Sequence, residues 1–132
     1  MVTPDANAGS SGTAMTPKHQ HAVSDSLLLA DSAAELRREL EEKESMYRAT
    51  ASDLLAGMSV AEALTTSRVD VARRELSDAL ERFETLRHRS RLSLTAAGIE
   101  EGMSIGQIGR SWGISRQLAS RYAAEVNEDR SD

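Results

Sequence analysis

From about Ser26 the chain repeats at alternating steps of four and three residues, through Leu29, Ala33, Leu36, Leu40, Lys43, Tyr47, Thr50 and Leu54. That is a heptad stripe along an α-helix, with polar lapses at Lys43 and Thr50. The residues between, Glu35 through Lys43, are strong helix formers with opposite charges in i,i+4 reach, the pattern of a solvated helix face. Gly57 interrupts the stripe, and Ser59-Val60-Ala61-Glu62 reads as a capping box that opens a short helix at Val60. A second start signal, Ser67 with Asp70 three residues on, precedes a longer helix. Val69, Ala72, Leu76, Ala79, Leu80, Phe83 and Leu86 form its apolar face. The stripe has to be buried, either on the second helix of the same chain or on another chain. Leu29, Leu36, Leu40, Tyr47, Leu54, Leu76 and Phe83 are the expected dimerisation residues of residues 25–90, as a hairpin or coiled coil.

Residues 1–24 hold both prolines and few sizeable apolar side chains, so they read as a disordered tail. His19 and His21 lie there as a His-x-His pair, which lacks the further ligands a stable metal site needs. Residues 56–63 and 101–108 echo each other at an offset of 45, as Gly57-Met58-Ser59-Val60 and Gly102-Met103-Ser104-Ile105. We read the echo as a shared helix-start signal, because the earlier copy has no glycine where the later one has Gly113.

The stretch 91–126 carries the functional information. Leu92, Leu94, Ala96, Ala97 and Ile99 predict a first helix that stops at Gly102. Ser104 caps a short second helix, Ile105 to about Trp112, which ends at Gly113, with Trp112 expected in the core. After Ile114, Ser115 caps a third helix through residue 124, and an acidic tail, 127–132, follows. The small Gly109 between Ile108 and Trp112, the turn glycine Gly113, and Ile114, Ala119 and Tyr122 after it form a recognisable set. Together they resemble the homeodomain-like helix-turn-helix of resolvase-type and regulator domains in bacteria. Gly113-Ile114-Ser115-Arg116-Gln117 resembles the start of a recognition helix in such domains. The resemblance covers about a quarter of the chain and implies a trihelical DNA reader.

The chemistry agrees without the resemblance. Leu118, Ala119 and Tyr122 are expected inward, leaving Ser115, Arg116, Gln117, Ser120 and Arg121 outward, with Ser104 and Arg110 of the preceding helix beside them. Arg can bond both guanine acceptors in the major groove, Gln can bridge adenine, and Ser can reach base edges or phosphate. Arg87, Arg89 and Arg91 fit a solvated helix face and phosphate contact equally well.

Composition narrows the reading further. The 132 residues carry 16 Lys plus Arg against 21 Asp plus Glu, net −5, but the charge is segregated. Residues 87–124 hold six arginines against Glu100 and Glu101, net +4. With no Cys there is no disulfide, thiolate nucleophile or Cys-ligated zinc. The longest apolar run, four residues from Leu27, is far below the roughly 20 of a membrane span. No phosphate loop, His-Glu-x-x-His or paired-carboxylate pattern points to an enzyme, a metal or a cofactor. We therefore expect an all-α, cytoplasmic, nucleoid-associated homodimer. It would pair an N-terminal helical hairpin or coiled coil with a C-terminal helix-turn-helix on double-stranded DNA, with no membrane and no small-molecule ligand evident. A transcriptional regulator is the leading reading. A plasmid or phage partition or recombination accessory protein is the alternative, and a helical adaptor that does not bind DNA is the reading of a different class.

Overall fold

The structure, a computed structural model, describes residues 15–131. Those residues form five helices: α1 (Pro17–Leu55), α2 (Val60–Ser67), α3 (Val69–Glu100), α4 (Ile105–Trp112) and α5 (Arg116–Ser131). There is no strand among the described residues. The chain divides into two compact units, Leu27–His88 and the residues up to Ser26 together with Arg89–Asp132. Of the expected tail, residues 1–14 lie outside the described residues. No helix among the described residues is long and apolar enough to cross a membrane.

α1 begins at Pro17, ahead of the expected start near Ser26. The cause is local: the Thr16 hydroxyl accepts the His19 N–H at 3.2 Å, and Pro17 occupies the first helical position, where its missing N–H costs nothing. Ala22, inside the expected tail, is buried. His19 is therefore helical, and its Nδ1 lies 2.9 Å from Glu101 Oε2.

In Leu27–His88 the ion pairs show that α1 and α3 run antiparallel. Lys43 donates to Glu75 at 2.8 Å and Arg82 donates to Glu35 at 2.6 Å, so a step of eight back along α1 answers a step of seven forward along α3. On α1 of this unit the residues turned from solvent are Leu29, Ser32, Ala34, Glu35, Leu36, Glu39, Lys43, Met46, Thr50 and Asp53. This corrects half of the expected stripe. Leu29, Leu36, Lys43 and Thr50 are inward, but their partners are the residues three positions on, not Ala33, Leu40, Tyr47 and Leu54 four positions on. Residues at i+3 and i+4 both adjoin i on a helix, on opposite sides of it, so spacing alone does not choose between them. The choice follows Lys43, whose ammonium is buried between Glu39 at 3.0 Å and Glu75 at 2.8 Å. Glu39 turns in with it. The hydrogen bond to Glu75 raises the Lys43 pKa against the opposing pull of burial, and the same bond lowers that of Glu75. Carboxylates of Glu39, Glu42 and Glu75 cluster there, and the ammonium supplies the cation they surround.

Of the expected dimerisation residues, Leu29, Leu36, Leu76 and Phe83 are half-buried, whereas Leu40, Tyr47 and Leu54 are exposed. The fully buried positions of this unit are small or polar: Ser32, Lys43, Ala63, Ala72 and Ala79.

The two echoed segments fold alike. Gly57 and Gly102 both adopt φ 99°, and Ser59 and Ser104 both close capping boxes, with Glu62 and Gln107. The helices that follow both end at a left-handed residue, Arg68 and Gly113, again 45 positions apart. Arg68 thus stands at φ 53° where the later copy has its glycine. The expected cap at Ser67 is not made: its hydroxyl donates to the Leu64 carbonyl, and Arg68 supplies the first carbonyl of α3.

Candidate nucleic-acid interface

The expected first helix of the reader is the C-terminal end of α3. Nothing between Leu86 and Arg91 breaks a helix, so α3 runs unbroken for 32 residues and stops before Gly102, as expected. From there the local geometry follows the caps. Ser104 Oγ accepts from Gln107 N–H at 3.1 Å, and the Gln107 side chain accepts from Ser104 N–H at 2.8 Å, opening α4 at Ile105. α4 closes at Gly113, φ 69°, and the Ile114 N–H donates to the Gly109 carbonyl at 2.9 Å. Ser115 Oγ accepts from Leu118 N–H at 3.0 Å, opening α5. α5 continues to Ser131, through the segment expected as an acidic tail.

Gly109 decides how closely α4 approaches the start of α5. A Cβ there would lie 3.1 Å from the Ile114 carbonyl oxygen and 3.5 Å from that of Ser115, both backbone atoms. A glycine here is thus matched to an approach in which even a methyl group is crowded. Beneath the approach Ile108, Ala119, Tyr122 and Val126 are buried, with Ala119 at 0% exposure. Tyr122 meets Trp112 edge to face, centroids 6.3 Å apart, and the Arg91 guanidinium stands 5.9 Å from the Tyr122 ring centre. Trp112 is not a core residue: it is 38% exposed and lines, with Leu94, Met103, Ile108 and Ser111, a cleft of about 210 Å³. A large ring beside a turn glycine has nowhere to be enclosed, because the short α4 has only two buried residues, Ile108 and Gly109.

With this side packed, the expected contact residues are all exposed: Ser104, Arg110, Ser115, Arg116, Gln117, Ser120 and Arg121. Arg110, Arg116 and Arg121 are accompanied by no acidic residue anywhere from Gly102 to Ala124. Both cap serines use their oxygen as an acceptor and retain the O–H to donate. Of the three arginines in the last part of α3, Arg87 is bonded to Glu84 at 2.9 Å and Arg91 covers Tyr122, while Arg89 is exposed. The Arg91 contact is a feature the sequence reading missed, since it joins two residues 31 positions apart. No protein-family model, curated protein or solved structure matches this chain.

Proposed function

We propose that this chain binds double-stranded DNA by setting α5 in the major groove. On this reading the end of α3 with α4 and α5 is a homeodomain-like trihelical helix-turn-helix. The preceding residues are a helical hairpin that dimerises, and the protein is a sequence-specific transcriptional regulator. One observation carries the proposal: Arg116, Gln117, Ser120 and Arg121 are exposed together on α5, on a 23-residue stretch that contains arginines and no acid. A groove-reading helix needs such a face, because side chains that bond base edges must be free of intrachain partners and the phosphates on either side repel carboxylates. The exposed, capped N-terminus of α5 adds N–H groups and a dipole that favour phosphate.

The test is fluorescence anisotropy on sheared duplex DNA across a salt series, comparing the full chain with the double variant Arg116→Ala/Arg121→Ala. Each Arg contact to a base is worth about 1–3 kcal/mol, so the double variant is expected to bind at least about thirtyfold more weakly. The log–log salt slope of the wild type is expected at several units, and a variant that loses a phosphate contact falls by about one. No binding by the wild type at low salt, or equal binding by the variant, overturns the proposal.

A further inference from the structure

The hairpin of Leu27–His88 has two flanks. In α1 two residues one position before a seam residue are acidic, Glu35 before Leu36 and Glu42 before Lys43. In α3 the corresponding residues are Glu75 before Leu76 and Arg82 before Phe83. Antiparallel helices bring these positions to the same flank, where Glu35 bonds Arg82 and Glu75 bonds Lys43. The opposite flank holds the residues four positions after a seam residue. There Leu40, Tyr47 and Leu54 of α1 and Leu80 of α3 are 49%, 55%, 41% and 44% exposed. One flank thus carries the ion pairs between the helices, and the other carries, on α1, a heptad row of large apolar side chains turned to solvent.

We propose that a second copy of this chain covers the Leu40–Tyr47–Leu54 flank, with its α1 antiparallel. This deepens the homodimer part of the proposed function and is independent of what α5 binds. The row is complementary to itself in size and charge. With the two-fold axis between Leu40 and Glu41, Tyr47 lies over the partner's Ala33 and Ala34, large against small. Leu40 meets its own copy across the axis, and each Arg37 lies beside the partner's Glu44. From Leu27 to Leu54 the helix rises about 40 Å, and two adjacent helices are about 20 Å wide, so the face offers about 800 Å². That is the area each partner contributes to a stable interface. The hairpin has need of it, because its own buried positions are mostly alanine, serine and a lysine.

Sedimentation equilibrium of the full chain at about 10–100 µM tests this without DNA. The wild type is expected at twice the chain mass, and Leu40→Glu/Tyr47→Glu at the chain mass with its helical circular dichroism retained. Val60→Glu, at a residue 63% exposed on α2, is expected to remain a dimer. The native chain has no cysteine, so oxidation of introduced ones reads the pairing directly. Arg37→Cys mixed with Glu44→Cys is expected to cross-link. Leu54→Cys alone is not, its two copies lying about 40 Å apart on this axis. A monomeric wild type, a helical double variant that stays dimeric, or self-linking of Leu54→Cys overturns the proposal.

Discussion

Residues 27–88 and residues 89–126 are helical throughout most of their length, yet their buried large side chains and their exposed faces differ. In the first, Ser32, Lys43, Ala72 and Ala79 are buried while Leu40, Tyr47, Leu54 and Leu80 are exposed. In the second, Ile108, Ala119, Tyr122 and Val126 are buried, and the residues turned outward on α5 include Arg116, Gln117, Ser120 and Arg121. Burial of apolar area is the main favourable term in folding, at roughly 25 cal/mol per Å². The C-terminal region buries Ile108, Tyr122 and Val126 among its own residues, leaves Leu94, Ile99 and Trp112 exposed, and carries a cationic, acid-free face on α5. The hairpin leaves much of its apolar area unburied, and it holds its register by charge instead, around Lys43. An apolar residue and a basic residue at the surface are both departures from a closed domain, but they point to different partners.

The largest effect that would break this comparison is at the crossing of α4 and α5. Gly109→Val puts a branched side chain where a single Cβ already lies 3.1 Å from a backbone oxygen. It is expected to destabilise by about 2–3 kcal/mol, read as a lower urea midpoint, and to weaken any ligand of α5 with it. The same substitution at Gly106, whose nearest neighbour is the movable end of Arg110, is expected to cost far less, which makes it the control.

The next effect sharpens the comparison from the hairpin side. Lys43→Met removes a buried charge and leaves Glu39 and Glu75 with solvent access, so it is expected to keep or raise the urea midpoint. Glu39→Ala, which strips a partner from a buried ammonium, is expected to lower it. The pH dependence follows from the same pair. Glu75, held below its ordinary 4.5, contributes stability above that pH and loses it as the pH falls through its folded value. Lys43, held above its ordinary 10.5, contributes below that pH and loses it as the pH rises through its folded value. The wild-type urea midpoint is therefore expected to fall at both extremes, and that of Lys43→Met to lose the alkaline fall and most of the acid one, because Lys43 is the main cause of the Glu75 shift.

The smallest effect concerns a single hydroxyl. Ser32 Oγ is buried without a hydrogen-bond partner, and Ser32→Ala is expected to stabilise by about 1 kcal/mol in thermal or urea unfolding.

What was legible in the sequence is what depends on residues within about four positions of one another. The capping boxes at Ser59 and Ser104, the cap at Ser115, the turn at Gly113 and the small residue at Gly109 all stand where their spacing places them. The Thr16-Pro17 start of α1 was equally local and was overlooked beneath a tail-like composition. These features are determined by the chain alone, because a cap or a left-handed residue is satisfied by its own neighbours. Other features needed the tertiary structure. Whether Glu39 or Leu40 faces inward, why a lysine is buried, how the Trp112 ring meets Tyr122 and where Arg91 rests each involve a partner beyond the local turn. The heptad period permits either neighbour of Leu36 and Lys43 to turn in. Only the opposing helix, where Glu75 meets Lys43, decided that Glu39 and Met46 did, leaving Leu40, Tyr47 and Leu54 outside.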